Sequence, residues 1–303
     1  MNTLKFSNIS DLMRRLGLMP PAHPLIALVN YDEEQINLRD AGSWFILDFY
    51  KITFKKDFNG SLKYGAGTYD FKEGGMAFLG PGQTVQMTAD AADHQGYALY
   101  FHPELLTSHS LGRDIQRYGF FDYTVSEALF LAAKEKQIIE TILQSVSIEL
   151  ACNIDPFSED VLVSQLALLL NHSNRFYNRQ FLTRKSQHHE LISRMTSWLN
   201  EYFDRADTAL TGLPSPQDIA TQLGVSQRYL SDMLKALTGK TTQQHIHLIL
   251  IEKAKSLLNQ TTLTTAEIAY RLGFEHPQSF NKLFKQRTSV SPHEFRHNQW
   301  RKN

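Results

Sequence analysis

The sequence predicts an α+β fold with two domains, a β-rich N-terminal domain with flanking helices and an all-helical C-terminal domain. Three observations support this prediction. The chain has 303 residues, and a domain commonly contains roughly 100 to 200 residues. Residues 43–104 alternate aromatic and β-branched runs with turns, and residues 219–285 contain a repeated helical pattern.

Composition limits the class of protein before any motif is considered. With 42% hydrophobic and 20% charged residues, the chain has the composition of a globular protein. Cys152 is the single cysteine, so no intramolecular disulfide can form, and we expect a buried thiol in a reducing compartment. No apolar run approaches the roughly 18 residues of a membrane span, and residues 1–17 lack a signal-peptide pattern. These features predict a cytoplasmic protein.

The β-rich segment is a series of short runs with strand composition. Residues 44–54 and 96–101 contain most of its aromatic residues, and turn residues occur at 59–60, 65–67 and 80–82. Short strands with frequent turns favour a small barrel or jelly roll.

Helical periodicity replaces the strand pattern near residue 126, and Ser126 and Ser158 are candidate N-caps of two helices. Apolar residues follow at three- and four-residue intervals, as one buried face of each helix requires: Leu129, Ile138, Ile142, Val146, Val161, Leu162, Leu166, Leu169 and Leu170. A third helix is predicted over residues 186–204. The helices at 126–150 and 186–204 either form a dimer interface or pack onto the β domain of their own chain.

A linker and a change of charge separate the two halves. Residues 208–216 combine Pro, Gly, Ser and Thr without apolar periodicity, which predicts a linker between domains at 1–207 and 217–303. The whole chain balances 31 basic against 31 acidic residues, but residues 205–303 contain 13 basic and seven acidic residues, and residues 1–204 contain 18 and 24. A positive C-terminal domain is typical of a protein that binds nucleic-acid phosphates.

The C-terminal domain contains an internal repeat. The pattern Ile-Ala-x-x-Leu-Gly at residues 219–224 recurs at 268–273, an offset of 49, and residues 229–235 resemble residues 279–285, an offset of 50. In each copy the apolar residues occupy one face of two short helices, and the glycine permits the turn between them. This pattern predicts a helix-turn-helix motif in each copy.

The two predicted motifs share one core and one connecting helix. Residues 245–258 predict a helix about 21 Å long, which can place two recognition helices in successive major grooves of DNA. The expected core residues are Leu223, Leu230, Met233, Leu234, Leu272, Phe274, Phe280, Leu283, Phe284 and Phe295.

Residues 218–296 resemble the AraC/XylS family of bacterial transcription regulators. The second copy, EIAYRLGFEHPQSFNKLFKQRTSVSPHEFR, is similar to that family's signature of Gly-Phe, Phe-Lys, Ser-Pro and a final aromatic residue with Arg. The resemblance implies a sequence-specific DNA-binding regulator that is not an enzyme, with duplex DNA and RNA polymerase as partners and no cofactor. The preceding region is more loosely similar to the sensor regions of such regulators, which implies a cupin-like β-barrel, a small-molecule effector and a homodimer.

The resemblance also implies which side chains face DNA. The base-reading candidates are Gln227, Arg228, Ser231 and Asp232 in the first recognition helix and Pro277, Gln278, Asn281 and Lys282 in the second. Arg and Lys suit guanine, whereas Gln and Asn suit adenine. The phosphate-contacting candidates, which are otherwise solvated charges, are Lys235, Lys240, Lys285, Arg287 and Arg296.

Two positions depart from the family pattern. Asp232 stands where Arg is common, so the first recognition helix either binds more weakly or accepts a hydrogen bond from cytosine N4. Ser289 stands where Gly is usual, which predicts a strained turn after the second recognition helix.

The N-terminal domain offers candidate residues for a ligand pocket. Strand aromatics can line such a cavity, although alternation lets only half of them face inward: Trp44, Phe49, Tyr64, Tyr97 and Tyr100. The alternative function is a cupin-type metal enzyme with an accessory DNA-binding module, whose candidate ligands are His94, His102 and Glu104. Their spacing does not give the paired histidines of such a site, so we expect no metal.

Overall fold

The computed structural model describes residues 3–37, 39–56, 61–64, 67–70, 74–86, 95–205 and 211–300, with the backbone alone at 61–64, 67–70, 125, 185–187 and 298–300. The chain forms two compact units, residues 1–180 and residues 181–303. The mixed α+β class is confirmed, with an all-helical C-terminal region.

The first unit contains a four-stranded antiparallel sheet in the order β2-β9-β4-β7. Its strands are β2 (Ile26–Asn30), β4 (Tyr50–Lys55), β7 (Gly75–Leu79) and β9 (Gly96–Phe101). Every residue of β9 is buried, because the strand has a neighbour on each side and covered faces. This burial explains why its sequence is a continuous apolar run without alternation.

A second sheet has three strands, with β3 (Trp44–Leu47) at its centre. Strand β3 pairs in parallel with β1 (Thr3–Phe6) and antiparallel with β8 (Thr84–Gln86). Helix α1 (Ile9–Arg15) follows β1, and its apolar face joins one core with residues of both sheets. Strands β5 (Ser61–Tyr64) and β6 (Gly67–Asp70) form a separate antiparallel pair.

No closed barrel is seen among the strands that the structure describes. Strands β1 and β2 and helix α1 lie before residue 43, where the sequence analysis predicted no element. Their runs, TLKF, ISDLMRR and IALVN, are too short to show a clear period.

Aromatic rings cover the other face of the four-stranded sheet. Phe78 of β7 lies 4.3 Å from Phe120 between ring centroids, and Phe120 stacks on Tyr177 at 5.4 Å. The 3-10 helix at Gly119–Asp122 supplies Phe120 to this layer. Helix α2 (Ser110–Asp114) precedes it, and α3 (Ala133–Ala151) and α4 (Ser158–Thr183) follow it.

Several details of these helices differ from the prediction. Helix α3 begins at Ala133, because the segment around Ser126 forms a 3-10 helix instead. Ile138 and Val161 are 36% and 39% exposed, so their predicted burial is wrong, and Ile139 takes the core position in α3. Cys152 is also exposed, because it follows the last residue of α3 with an extended backbone.

The second unit is helical. After α5 (Lys185–Asp204), its elements are α6 (Pro216–Leu223), α7 (Gln227–Thr238), α8 (Thr242–Gln260), α9 (Thr265–Arg271), α10 (Pro277–Thr288) and α11 (Pro292–Trp300). Helix α5 contacts α6 and α8 in this unit, whereas the sequence analysis grouped it with the first domain. The predicted core residues are buried, except that Leu283 and Phe295 are half-buried. In the described part of the chain, no helix is both long enough and apolar enough to cross a bilayer.

Candidate nucleic-acid interface

Two helix-turn-helix units, α6–α7 and α9–α10, flank the connecting helix α8. Each unit begins with a reciprocal cap: Ser215 and Asp218 cap α6, and Thr264 and Glu267 cap α9. In each pair the hydroxyl accepts a hydrogen bond from the backbone N–H three residues later, and the carboxylate accepts one from the backbone N–H of the cap residue. These bonds lower the pKa of the Asp218 and Glu267 carboxyls. The sequence therefore fixes where both units start.

Glycine makes the turn inside each unit. Gly224 follows α6 with φ of 73°, and Gly273 follows α9 with φ of 90°. Both angles lie in the left-handed region that only glycine adopts without cost. The two recognition helices end in the same way, at Gly239 after α7 and Ser289 after α10, with φ of 70° and 66°.

The first recognition helix, α7, presents a polar face opposite its buried face. Its buried residues are Tyr229, Leu230, Met233 and Leu234. Gln227 and Arg228 are exposed, and Ser231 and Asp232 are half-buried beside them. The Arg228 Nε donates to the Asp232 carboxylate over 3.1 Å. The helix thus brings all four predicted base-reading residues to one surface.

The second recognition helix, α10, is more strongly basic. Phe280 and Phe284 anchor it in the core, whereas Gln278, Asn281 and Lys282 are exposed and Pro277 at its first turn is half-buried. The helix carries three basic residues and no acid, whereas α7 carries two basic residues and one acid.

A cavity of about 310 Å³ opens beside α10, at the N-terminal ends of α9 and α11. Its lining includes Asn281, Lys282 and Lys285, and also Thr265 and His293, which the sequence analysis did not single out. The full lining is Thr265, Asn281, Lys282, Lys285, Ser291, Pro292 and His293. Two ammonium groups and no carboxylate line it, which suits an anion. Two capping boxes are the sequence signals for these positions, because Thr264-x-x-Glu267 marks the helix start at Thr265 and Ser291-x-x-Glu294 marks the start of α11 beside His293.

Four of the five predicted phosphate contacts are exposed cations: Lys235, Lys240, Lys285 and Arg287. The guanidinium of Arg296 is placed differently, because it donates to the carbonyls of Leu258 and Leu263 over 3.0 and 2.7 Å. Arg296 therefore joins α11 to the C-terminal end of α8 and the loop beyond it.

A buried histidine supports α7 from within the second unit. The Nδ1 of His188 lies 3.0 Å from the Phe181 carbonyl, and its Nε2 lies 3.1 Å from the Tyr229 hydroxyl. Burial lowers the pKa of His188. Burial also lowers the pKa of His247, to which the nearby Arg287 charge adds.

The candidate pocket aromatics of the first unit do not share one surface. Phe49 and Tyr100 belong to the core between the sheets, with ring centroids 6.2 Å apart. Tyr97 lies on the opposite face of β9, where it stacks on Phe54 at 6.5 Å. Trp44 is half-buried on β3, and the side chain of Tyr64 lies outside the described residues.

One lysine faces the same core as Tyr100. Lys51 pairs with Tyr100 across β4 and β9, and its Nζ lies 5.6 Å from the centroid of the Tyr100 ring. Burial lowers the pKa of this lysine to about 8.

The candidate metal ligands are only partly covered by the structure. His94 lies outside the described residues. The Nδ1 of His102 accepts a hydrogen bond from the Glu104 backbone N–H over 3.3 Å, so this histidine caps a 3-10 helix. Within the described residues, no three His, Cys, Asp or Glu side chains lie close enough together to hold a metal ion.

Known proteins resemble the second unit. A family model described as a helix-turn-helix domain matches residues 219–298. The HTH-type transcriptional activator RhaS of Escherichia coli is 30% identical over 139 residues, which cover 46% of this chain and 45% of RhaS. The match thus spans less than half the length of that relative.

Solved structures also resemble this region. The C-terminal domain of AraT, a response regulator from Geobacillus stearothermophilus, is 30% identical, with 36% of this chain and 84% of that chain covered and a TM-score of 0.32. A transcriptional regulator of the AraC-type DNA-binding class from Chromobacterium violaceum is 27% identical, with 28% and 75% covered and a TM-score of 0.27. Residues 219–298 therefore contain the helix-turn-helix domain that the internal repeat predicts, and this region is similar to AraC-type regulators.

Proposed function

We propose that this protein is a sequence-specific DNA-binding transcription regulator. The observation that carries the proposal is the pair of recognition helices, α7 and α10, each anchored by buried apolar residues and each presenting exposed polar side chains. Helix α8, with 19 residues, is about 28 Å long. A rigid connection of that length suits two helices in successive major grooves, whose spacing is about 34 Å. The relatedness to RhaS, a transcriptional activator, supports the same function.

The exposed side chains suit base edges and phosphates. Asn281 and Gln278 can form paired hydrogen bonds with adenine, and Arg228 and Lys282 suit guanine. The cavity beside α10 suits a backbone phosphate, because the ammonium groups of Lys282 and Lys285 line it.

Selection of duplex DNA from a random pool by the full-length protein tests this proposal. We expect a bipartite site with two short conserved blocks about one helical turn apart. Binding to the selected site should weaken as salt rises, with a slope in log K against log salt of about 0.9 per phosphate contact. Equal affinity at low and high salt, or no enriched sequence, would contradict the proposal.

Two substitutions separate base reading from phosphate binding. Asn281→Ala should cost about 1 to 3 kcal/mol on the selected site and much less on random DNA, because it removes a base contact. The matched control, Lys285→Ala on the same helix, should weaken binding to all sequences and lower the salt slope by about 0.9. If both variants lose affinity equally on every sequence, Asn281 contacts phosphate and reads no base.

The first unit is proposed to control this binding without being an enzyme. The inward-facing Lys51 and Tyr100 suit a small-molecule effector with an acidic group, within a region that we propose is cupin-like. Exposed apolar side chains on α3 and α4 suit a homodimer, which would bring two DNA-binding units to one operator. A regulator of this kind acts on DNA in the cytoplasm, where RNA polymerase is its further proposed partner.

A further inference from the structure

The two recognition helices differ at one pair of equivalent positions. With the repeat offset of 50, Arg228 corresponds to Gln278 and Asp232 corresponds to Lys282. In α7 these positions form an ion pair one helical turn apart, with 3.1 Å between Nε and the carboxylate. In α10 they hold an amide and an ammonium group. The acid on α7 therefore has a local partner that the second copy lacks.

The geometry of the pair leaves most of the guanidinium available. The contact to Asp232 uses the Nε of Arg228, and a guanidinium has four further N–H groups on its two terminal nitrogens. A guanine presents two acceptors, O6 and N7, which match the two terminal nitrogens side by side. A carboxylate on Nε therefore fixes the plane of the guanidinium and leaves its outer edge for a base.

Stability does not account for this ion pair. Side-chain exposure is 43% for Arg228 and 31% for Asp232, and exposed ion pairs one turn apart contribute little to folding. The ion pair instead holds the guanidinium of Arg228 in one orientation. The Arg side chain has several rotatable bonds. Holding it in one conformation before DNA binds lowers the conformational entropy that is lost when a base contact forms.

The Asp232 carboxylate also makes the electrostatic potential around α7 more negative. A carboxylate on the polar face of α7 repels phosphates, so it opposes binding in which α7 lies on the DNA backbone. A base contact by Arg228 is unaffected by that repulsion when the carboxylate is already paired with it. The acid thus disfavours non-specific binding more than specific binding.

We propose that Asp232 is a positioning residue that makes Arg228 specific for a guanine in the half-site bound by α7. This inference rests on the proposed function, because it assigns a base preference to one of the two recognition helices. The second recognition helix, with three basic residues and no acid, then supplies the larger share of phosphate attraction. In this proposal α7 discriminates between bases in its half of the bipartite site, whereas α10 mainly supplies affinity for the phosphates of the other half.

The test uses full-length protein and the duplex selected from the random pool. Each base pair of the α7 half-site is substituted in turn, and the dissociation constant is measured for wild type, Asp232→Asn, Arg228→Ala and the double variant. For wild type we expect one guanine whose replacement weakens binding about tenfold to a hundredfold. Asp232→Asn should reduce that ratio at least fivefold while strengthening binding to random DNA.

The double variant distinguishes positioning of Arg228 by Asp232 from an effect of Asp232 that does not involve Arg228. If Asp232 acts through Arg228, the double variant should discriminate at that guanine no less than Arg228→Ala alone. Glu275→Gln is the control, because it removes an exposed acid from the turn before α10 and should strengthen random binding without changing the guanine ratio. Matching circular dichroism spectra and unfolding midpoints exclude a folding defect.

Two results would overturn the inference alone. One is an Asp232→Asn variant that keeps the guanine ratio, since Asp232 would then only repel phosphates. The other is a double variant whose loss of discrimination equals the two single losses combined. A wild-type protein that enriches no DNA sequence would overturn the proposed function as well, and that outcome is distinct because Asn281→Ala then has no specific effect either.

Discussion

Ser289 holds a backbone conformation that its side chain disfavours. Among the described residues it is the one non-glycine residue with a positive φ, at 66°. The equivalent residue of the first repeat is Gly239, with φ of 70° and no atom within 4 Å of a Cβ built there. The two turns therefore have the same geometry with different residues, which isolates the conformational cost of a Cβ.

Ser289→Gly should stabilise the second unit. A non-glycine residue in the left-handed region costs about 1 to 2 kcal/mol, and the greater freedom of glycine in the unfolded chain offsets about 0.5 to 1 kcal/mol of that gain. We expect a net increase of about 0.5 kcal/mol, measured as a higher urea midpoint with an unchanged slope. Gly239→Ser is the matched control and should change stability by a similar amount in the opposite direction. Two variants that shift the midpoint the same way would show that the Cβ is not the cause.

His188 should make the second unit sensitive to acid. Its pKa in the folded protein is lower than its ordinary value of 6.5, because burial disfavours the charged ring. The unfolded chain then binds the proton more readily. The stabilisation by neutral His188 is complete above pH 6.5 and is lost as pH falls from there through the lowered pKa.

The measurement is the free energy of unfolding at pH 7.5 and at pH 5.5. His188→Gln should show a smaller loss between these values than wild type, since Gln can bridge the Phe181 carbonyl and the Tyr229 hydroxyl without titrating. Part of the loss should remain, because the pKa values of His245 and His247 are also lowered by burial. The exposed neighbour His189 provides the control, and a His189→Gln variant with the same reduced acid sensitivity would refute the assignment to His188.

Sequence reasoning at the level of single residues succeeds where one local rule decides the outcome. The strained turn at Ser289 was predicted from the resemblance to the AraC/XylS family, and the repeat agrees with it, because Gly239 occupies the equivalent position. It does not reveal a partner that is distant in sequence, as for Arg296, whose carbonyl acceptors lie 33 and 38 residues away. The Arg228–Asp232 pair lies between these cases, because both residues are visible in the sequence at a helical spacing but their contact is not.

The turns of the two helix-turn-helix units differ in the space around their glycines. A Cβ at Gly273 would lie 2.6 Å from the Gly212 carbonyl oxygen, whereas a Cβ at Gly224 would meet no atom within 4 Å. Both residues have positive φ, so both require glycine for conformation. Only the second turn also requires it for packing, because the segment around Gly212 crosses it closely.

Gly273→Ala should therefore destabilise the second unit more than Gly224→Ala. The conformational cost is about 1 to 2 kcal/mol at either site, and the backbone contact at Gly273 adds about 1 to 3 kcal/mol as in other overpacked sites. Thermal unfolding of both variants beside wild type measures the difference. Equal losses would show that the backbone around Gly212 moves away without cost.

Element prediction follows the strength of the periodic signal. The helix-turn-helix units were predictable because two copies with capping residues and a turn glycine confirm one another. The start of α3 was not, because Ser126 lies inside a 3-10 helix, and the N-cap position of α3 is held by Ala132, whose side chain gives no capping signal. Strands β1 and β2 were missed because four or five residues give too few positions for a period to appear.

The neutral net charge of the whole chain is the sum of an acidic N-terminal part and a basic C-terminal part. Residues 205–303 have a formal charge of +6 and residues 1–204 a charge of −6, so the chain can bind phosphates with one part while it remains neutral in sum. The compact units divide at residue 180, earlier than the predicted linker, because α5 contacts α6 and α8. Sequence alone could not show this, since an apolar stripe on a helix does not name the surface that covers it.

Several large apolar residues on and beside α3 and α4 are exposed to solvent. Phe157 is 70% exposed, Ile148 is 67% exposed and Leu168 is 48% exposed. The Ser145–Gln165 hydrogen bond of 2.8 Å joins the two helices, and Ile148 and Val161 each lie about one helical turn from one of these two residues. Solvated apolar residues grouped in this way are typical of an association surface.

Phe157→Asp together with Ile148→Asp should convert the proposed homodimer to a monomer, because each substitution places a carboxylate where association would remove it from water. Sedimentation velocity of the full-length protein at micromolar concentration measures the change. Asn174→Asp adds the same charge at an exposed polar position of α4 and should leave the dimer intact. The monomer should still bind one bipartite site, since each chain carries both recognition helices, but it should lose the avidity that two linked DNA-binding units give on paired sites. A wild-type protein that sediments as a monomer would exclude this surface as a dimer interface.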